Sequence, residues 1–170
     1  MGEQTQALAE RFEAVNREAI TLAESLTAQQ WQQVCPGEGW TVGVALHHIA
    51  VSYTGIADWV VRLAQQKPVR TSHDQINDIN EKHAAEQDGY TREVTLALLQ
   101  ANGGVAAHAL RHLEDAQLDN SAPFLPAGVG KERSCRQVIE HVLIGHPQGH
   151  LQSIRQALGL GGASTTQAPA

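Results

Sequence analysis

Apolar residues recur along most of this chain with the period of an α-helix. Leu8, Phe12, Val15, Ala19, Leu22 and Leu26 alternate steps of four and three, which predicts a first helix over about residues 4–26 with one face on a core. Pro36, Gly37 and Gly39 then mark a loop. Thr41 is placed to cap a second helix whose stripe runs Val42, Leu46, Ile49, Tyr53, Ile56, Val60, Leu63 until Pro68 closes it. Ser72 and Gln75 have the spacing of a capping box, and Ile76 and Ile79 give that third, shorter helix a side before Gly89 interrupts it. A fourth begins near Thr91 with Val94, Leu98, Val105, Ala109 and Leu113, and Asn102-Gly103-Gly104 in its middle predicts a kink. Pro123, Pro126 and Gly128 make the stretch from Asp119 to Arg133 a long surface loop. Ser134 and Gln137 open the last helix, which runs to about Leu158. No strand pattern competes. The expectation is an all-α bundle over residues 1–158, four main helices with an extra short one, followed by a flexible tail over 159–170.

Composition narrows the partners. A chain of 170 residues suits one domain with one substantial core, and a net charge of -6 with only 12 Lys and Arg gives no surface for phosphate backbones. Nucleic acid is therefore not an expected partner. Two cysteines, Cys35 and Cys135, form neither a disulfide framework nor a thiolate metal knuckle, which fits a reducing cytoplasm. The opening MGEQTQALAERFE lacks a signal-peptide pattern, and no apolar run reaches the roughly 18 residues that span a bilayer. A soluble cytoplasmic protein with no membrane partner is the expectation.

The chemistry lies in the histidines. Successive helical residues turn by about 100°, so each histidine can be placed against its own stripe. His146 and His150, four apart, fall inside the apolar arc defined by Ile139, Val142, Leu143 and Ala157, whereas His141 falls outside it. His48 sits on the flank of its stripe with Ala45, Ser52 and Trp59; His47 points nearly opposite and is expected in solvent. An imidazole in an apolar arc costs about 1–3 kcal/mol unless its nitrogens find partners. Two inward histidines can be core residues bonded to carbonyls or water, or they can be metal ligands. A third inward histidine on a separate helix favours metal, and three nitrogens leave a coordination position open, as in a catalytic site.

Other polar residues carry weaker signals. His108 and His112 are also four apart, but Arg111, Glu114 and Asp115 surround them and mark a solvated face. His73, Asn77, Asn80 and His83 form a polar row that reads first as solvent-facing. Asn77 and Asn80 flank Ile76 and Ile79, so with Ser52 they are candidate pocket neighbours of the metal. Pro147 removes a backbone bond to Leu143 and predicts a break between the paired histidines. Cys35 reads as an ordinary loop thiol, and no nucleophile elbow, phosphate loop or HExxH motif is present.

These segments resemble a known family. GEGWTVGVALHHIA, DINDINEKHAAE and RQVIEHVLIGHPQGHLQSI are similar to three conserved stretches of the DinB-like superfamily, and the resemblance spans roughly residues 8–158. It implies a four-helix bundle in which His48, His146 and His150 hold a divalent metal, and the HPQGH interval departs from the family's usual helix formers. The resemblance further implies a metal-dependent transferase or isomerase that uses a low-molecular-weight thiol such as mycothiol or bacillithiol on a small-molecule substrate. A metal-dependent hydrolase and a non-catalytic metal-binding or stress-response module are the alternatives. All-nitrogen ligation suits zinc or nickel, and iron as well. Trp59, Val61, Leu96 and Leu110 lie beyond the main stripes, and an apolar patch of that kind predicts a homodimer.

Overall fold

The computed structural model describes residues 2–86 and 90–160. Gly89 and most of the predicted tail lie outside that range. Among the described residues, seven α-helices and one short hairpin follow the chain: α1 Glu3–Ser25, α2 Ala28–Trp31, α3 Val42–Ala64, α4 His73–Ala85, α5 Arg92–Arg111, β1 Ser121–Pro123, β2 Glu132–Ser134, α6 Cys135–Val138 and α7 Gly145–Ala157. A π-helical turn, Ile139–Ile144, joins α6 to α7 without a break, so the last four-helix element is a single rod. The bundle consists of α1, α3, α5 and this rod, with α5 lying against both α1 and α3. None of the described helices is long and apolar enough to cross a membrane.

The start signals act as their chemistry dictates. Ser72 Oγ accepts from Gln75 N at 3.1 Å while Ser72 N donates back to Gln75 Oε1 at 2.8 Å; Ser134 and Gln137 repeat this at 3.2 and 3.0 Å. Thr41 and Thr91 cap α3 and α5. Leu8, Phe12, Val15 and Ala19 bury the α1 stripe, and Phe12 meets Tyr53 of α3 edge-on at 5.0 Å.

Four features differ from the sequence-based expectation. First, a two-stranded antiparallel sheet pairs Ser121 with Ser134 and Pro123 with Glu132 inside the predicted loop. Strands of three residues are too short to show a period, and Gly128 at φ 110° permits the intervening turn. Second, α5 is one continuous α-helix across its glycine pair. Gly103 is buried, and a Cβ there would collide with the Asn16 side chain of α1, so this glycine permits close helix approach; Asn102 reaches the Ala50 carbonyl of α3 at 2.9 Å. Third, Pro147 is accommodated by a wider turn. The π turn ends three residues before it, and Gly145 N donates to Glu140 O, five residues back, so the register shifts where proline would otherwise meet an intact α-helical ladder. Fourth, Leu110 lies in the core and Trp59 packs edge-on against Phe124 at 5.6 Å, while Val61 and Leu96 are half-buried. Of the four residues on which the apolar patch was expected, Leu110 is thus withdrawn from the surface.

Candidate metal centre

Three helical elements bring their histidines to one point. α3 contributes His48 from its second turn, and the rod contributes His146 and His150 from the first turns of α7. One ligand atom from each lies within 4.8 Å of the other two, and His48 Nε2 is 3.1 Å from His146 Nε2. Because the π turn precedes both α7 histidines, it sets their common direction and leaves their four-residue spacing intact.

The electrostatics keep His48 and His146 neutral. Burial, and then the proximity of His146, His150, His83 and His47, push His48 down to about 2; burial and then His150 push His146 down to about 4. A neutral imidazole can turn one nitrogen lone pair to a metal, and one nitrogen from each of the three rings converges here. Around a tetrahedral ion bound at 2.0–2.1 Å, ligand nitrogens lie about 3.3 Å apart, close to the observed His48–His146 separation. The donor set therefore fits a divalent metal with a position to spare.

A supporting shell holds the ligands in place. His150 Nδ1 meets Glu38 Oε1 at 2.7 Å, which leaves Nε2 as the free nitrogen, and Ser153 Oγ donates to Glu38 Oε2 at 2.7 Å. A carboxylate on the far nitrogen of a ligating histidine fixes its tautomer and raises its basicity. Trp40 stacks on His150, with centroids 6.0 Å apart and planes at 13°, and stands edge-on to His48 at 5.0 Å.

Beside His48 lies a stack of rings. His83 Nε2 donates to the Val44 carbonyl at 3.3 Å, and the Tyr90 hydroxyl donates to the His83 carbonyl at 3.0 Å and lies 3.2 Å from His83 Nδ1. Tyr90 in turn covers His47 face to face at 3.8 Å. Burial lowers the pKa of both histidines, His47 to about 4.

A cavity of about 520 Å³ opens onto His48 and His146. One face of α3 lines it, through His48, Val51, Ser52, Gly55, Ile56 and Trp59, at steps of three and one. The opposite walls come from α4, the hairpin segment and Val142.

A model of the DinB superfamily matches residues 11–154, most of the chain. The chain belongs to the DinB superfamily. Among solved structures, this DinB-superfamily chain is similar to YfiT from Bacillus subtilis, described as a probable metal-dependent hydrolase with an unusual four-helix bundle topology. The likeness has a TM-score of 0.69 at 20% identity and covers 92% of this chain and 87% of that one, which establishes a shared fold. No curated protein matches the chain.

The residues singled out in the sequence separate clearly. His48, His146 and His150 converge. Ser52 and Asn80 line the cavity, although the Ser52 hydroxyl donates to the Ile49 carbonyl at 2.9 Å. Asn77 is exposed, bonds His73 Nδ1 at 3.0 Å and does not line the cavity, because it projects from the outer side of α4. His108 and His112 are exposed, and among the described residues their rings meet only each other, with centroids 4.0 Å apart and planes tilted by 39°. His47, expected in solvent, is 8% exposed, and His83 is 9%. The first nine residues of α3 are all buried, so its far side is covered by α4 and Tyr90 and a residue opposite the stripe still meets protein. Glu38 and Arg133 carried no periodic signal, being a loop residue between two glycines and a strand residue in a three-residue strand.

Proposed function

We propose that this chain is a metal-dependent enzyme that transfers a low-molecular-weight thiol to a small electrophile, with His48, His146 and His150 as the ligands. The observation that carries the reading is a three-histidine site open to a cavity that, among the described residues, no carboxylate lines. A divalent metal there, zinc or nickel by its all-nitrogen ligands, would supply charge that ionises a thiol. An ordinary thiol, with a pKa near 8.5, needs only a small shift to ionise at neutral pH, so a wall without a carboxylate suffices. Glu38 and Ser153 orient His150, the apolar walls hold the electrophile and keep water from it, and His83, locked between Val44 and Tyr90, fixes the flank of His48. The two cysteines are free and buried, and burial pushes them up to about 11 and 12, so neither is a resident nucleophile. Two unpaired thiols also support a reducing, cytoplasmic setting.

Hydrolysis is the second reading, favoured by the likeness to YfiT. One assay separates the two. Protein loaded with zinc or nickel is given an electrophile panel with mycothiol or bacillithiol, and then with water alone. Thiol-dependent turnover that stops on chelation supports transfer; equal turnover without thiol supports hydrolysis; none in either, from fully metallated protein, contradicts both.

A further inference from the structure

The cavity beside the metal ligands has a shape and a charge distribution of its own. Its α3 wall extends from His48 to Trp59, eleven residues apart in sequence, a span of about 16 Å along the helix axis. Along that length the walls are mostly apolar: Val51, Ile56 and Trp59 on one side, Ile76, Phe124 and Val142 on the others. At 520 Å³ it has the size of a site for one small molecule.

One permanent charge lines it. Arg133 comes from the middle of β2, paired with Ala122, on the hairpin segment whose Phe124 packs against Trp59. Its guanidinium donates to the Glu132 carbonyl at 2.9 Å, and among the described residues it forms no salt bridge. Among the described residues, no Asp or Glu lines the cavity to neutralise it. An arginine facing an apolar cavity without a counterion is matched by a ligand that brings one, since a charge-assisted, bidentate pair offsets the desolvation of both groups.

We propose that the cavity selects an elongated apolar substrate bearing a single anionic group, with its body along the α3 face between His48 and Trp59 and its anion on Arg133. This rests on the proposed enzyme reading only in naming the electrophile's class. The mostly apolar walls suit an apolar anion better than a polyhydroxylated thiol.

The test is isothermal titration of the full chain, metal-free and zinc-loaded, with decanoate, decyl phosphate and 1-decanol. At least one of the two anions is expected to bind tenfold or more tighter than the alcohol, and the tighter of them identifies the anionic group. Arg133→Ala should weaken the anions at least tenfold and leave 1-decanol within twofold, and Arg133→Lys should recover part of the loss. Gly55→Trp, at a position where a Cβ meets no atom within 4 Å, should fill the cavity and remove binding of all three, with the helical circular dichroism retained. Decanol binding as tightly as both anions, anion binding indifferent to Arg133→Ala, or no binding of any of the three overturns the proposal. Amphiphile binding that persists in protein shown to lack bound metal leaves this inference standing even if the metal-enzyme reading fails, and the converse result separates them equally.

Discussion

Glu38 Oε1 lies 2.7 Å from His150 Nδ1, and this contact ties a loop residue to the C-terminal helix across 112 positions of sequence. It converts His150 from a half-buried ring with two choices of tautomer into a ligand with one nitrogen free. Glu38→Ala should therefore lower metal affinity about 10–100-fold, measured by competition with a chromophoric chelator, while the fold persists. Ser153→Ala, which removes only the second contact to Glu38, should cost less. An affinity unchanged in Glu38→Ala would mean that the carboxylate does not support the site.

The two neighbouring glycines of α5 should respond in opposite directions. Gly103→Ala drives a Cβ into Asn16, and overpacking of this kind costs about 1–3 kcal/mol. Gly104→Ala meets open space on an exposed helical face and should gain up to about 1 kcal/mol. Urea unfolding of both variants checks the pair, and equal effects would contradict the packing described for Gly103.

Metal-free protein should lose stability between pH 7 and pH 5. The unfolded chain protonates its histidines below about 6.5, whereas His47 and His146 in the folded chain stay neutral to about 4 and His48 to about 2. The unfolded state thus binds more protons in this window, and stability falls as pH falls, by up to about 1.4 kcal/mol per pH unit for each such histidine. Asp115, held below the usual carboxylate range by backbone N–H groups of Thr5 and Gln4, contributes only at lower pH. Denaturation midpoints that are flat from pH 7 to 5 would contradict the burial of these rings.

Much of this arrangement is legible in the order of residues. Capping boxes at Ser72 and Ser134 act through contacts three residues apart, so local sequence fixes them, and the stripe from Leu8 to Ala19 needs only another apolar face to pack against. His146 and His150 could be placed inward because they share an arc with Leu143 and Ile139. What escaped depends on contacts distant in sequence. His47 looks solvent-facing on an isolated helix, yet Tyr90, more than forty residues on, covers it. Glu38 looks like a loop carboxylate until His150 arrives beside it. Pro147 reads as a break, and the π turn that absorbs it is a property of the packed rod.

The central claim is that three histidines, and not the other pair, hold one metal ion. Elemental analysis of the purified protein after loading with zinc or nickel tests it most directly. One equivalent should be present in the wild type and in His108→Ala and His112→Ala, and it should be lost in His48→Ala, His146→Ala and His150→Ala. Full metal content in the last three variants, or its loss in the His108 and His112 variants, would contradict the account.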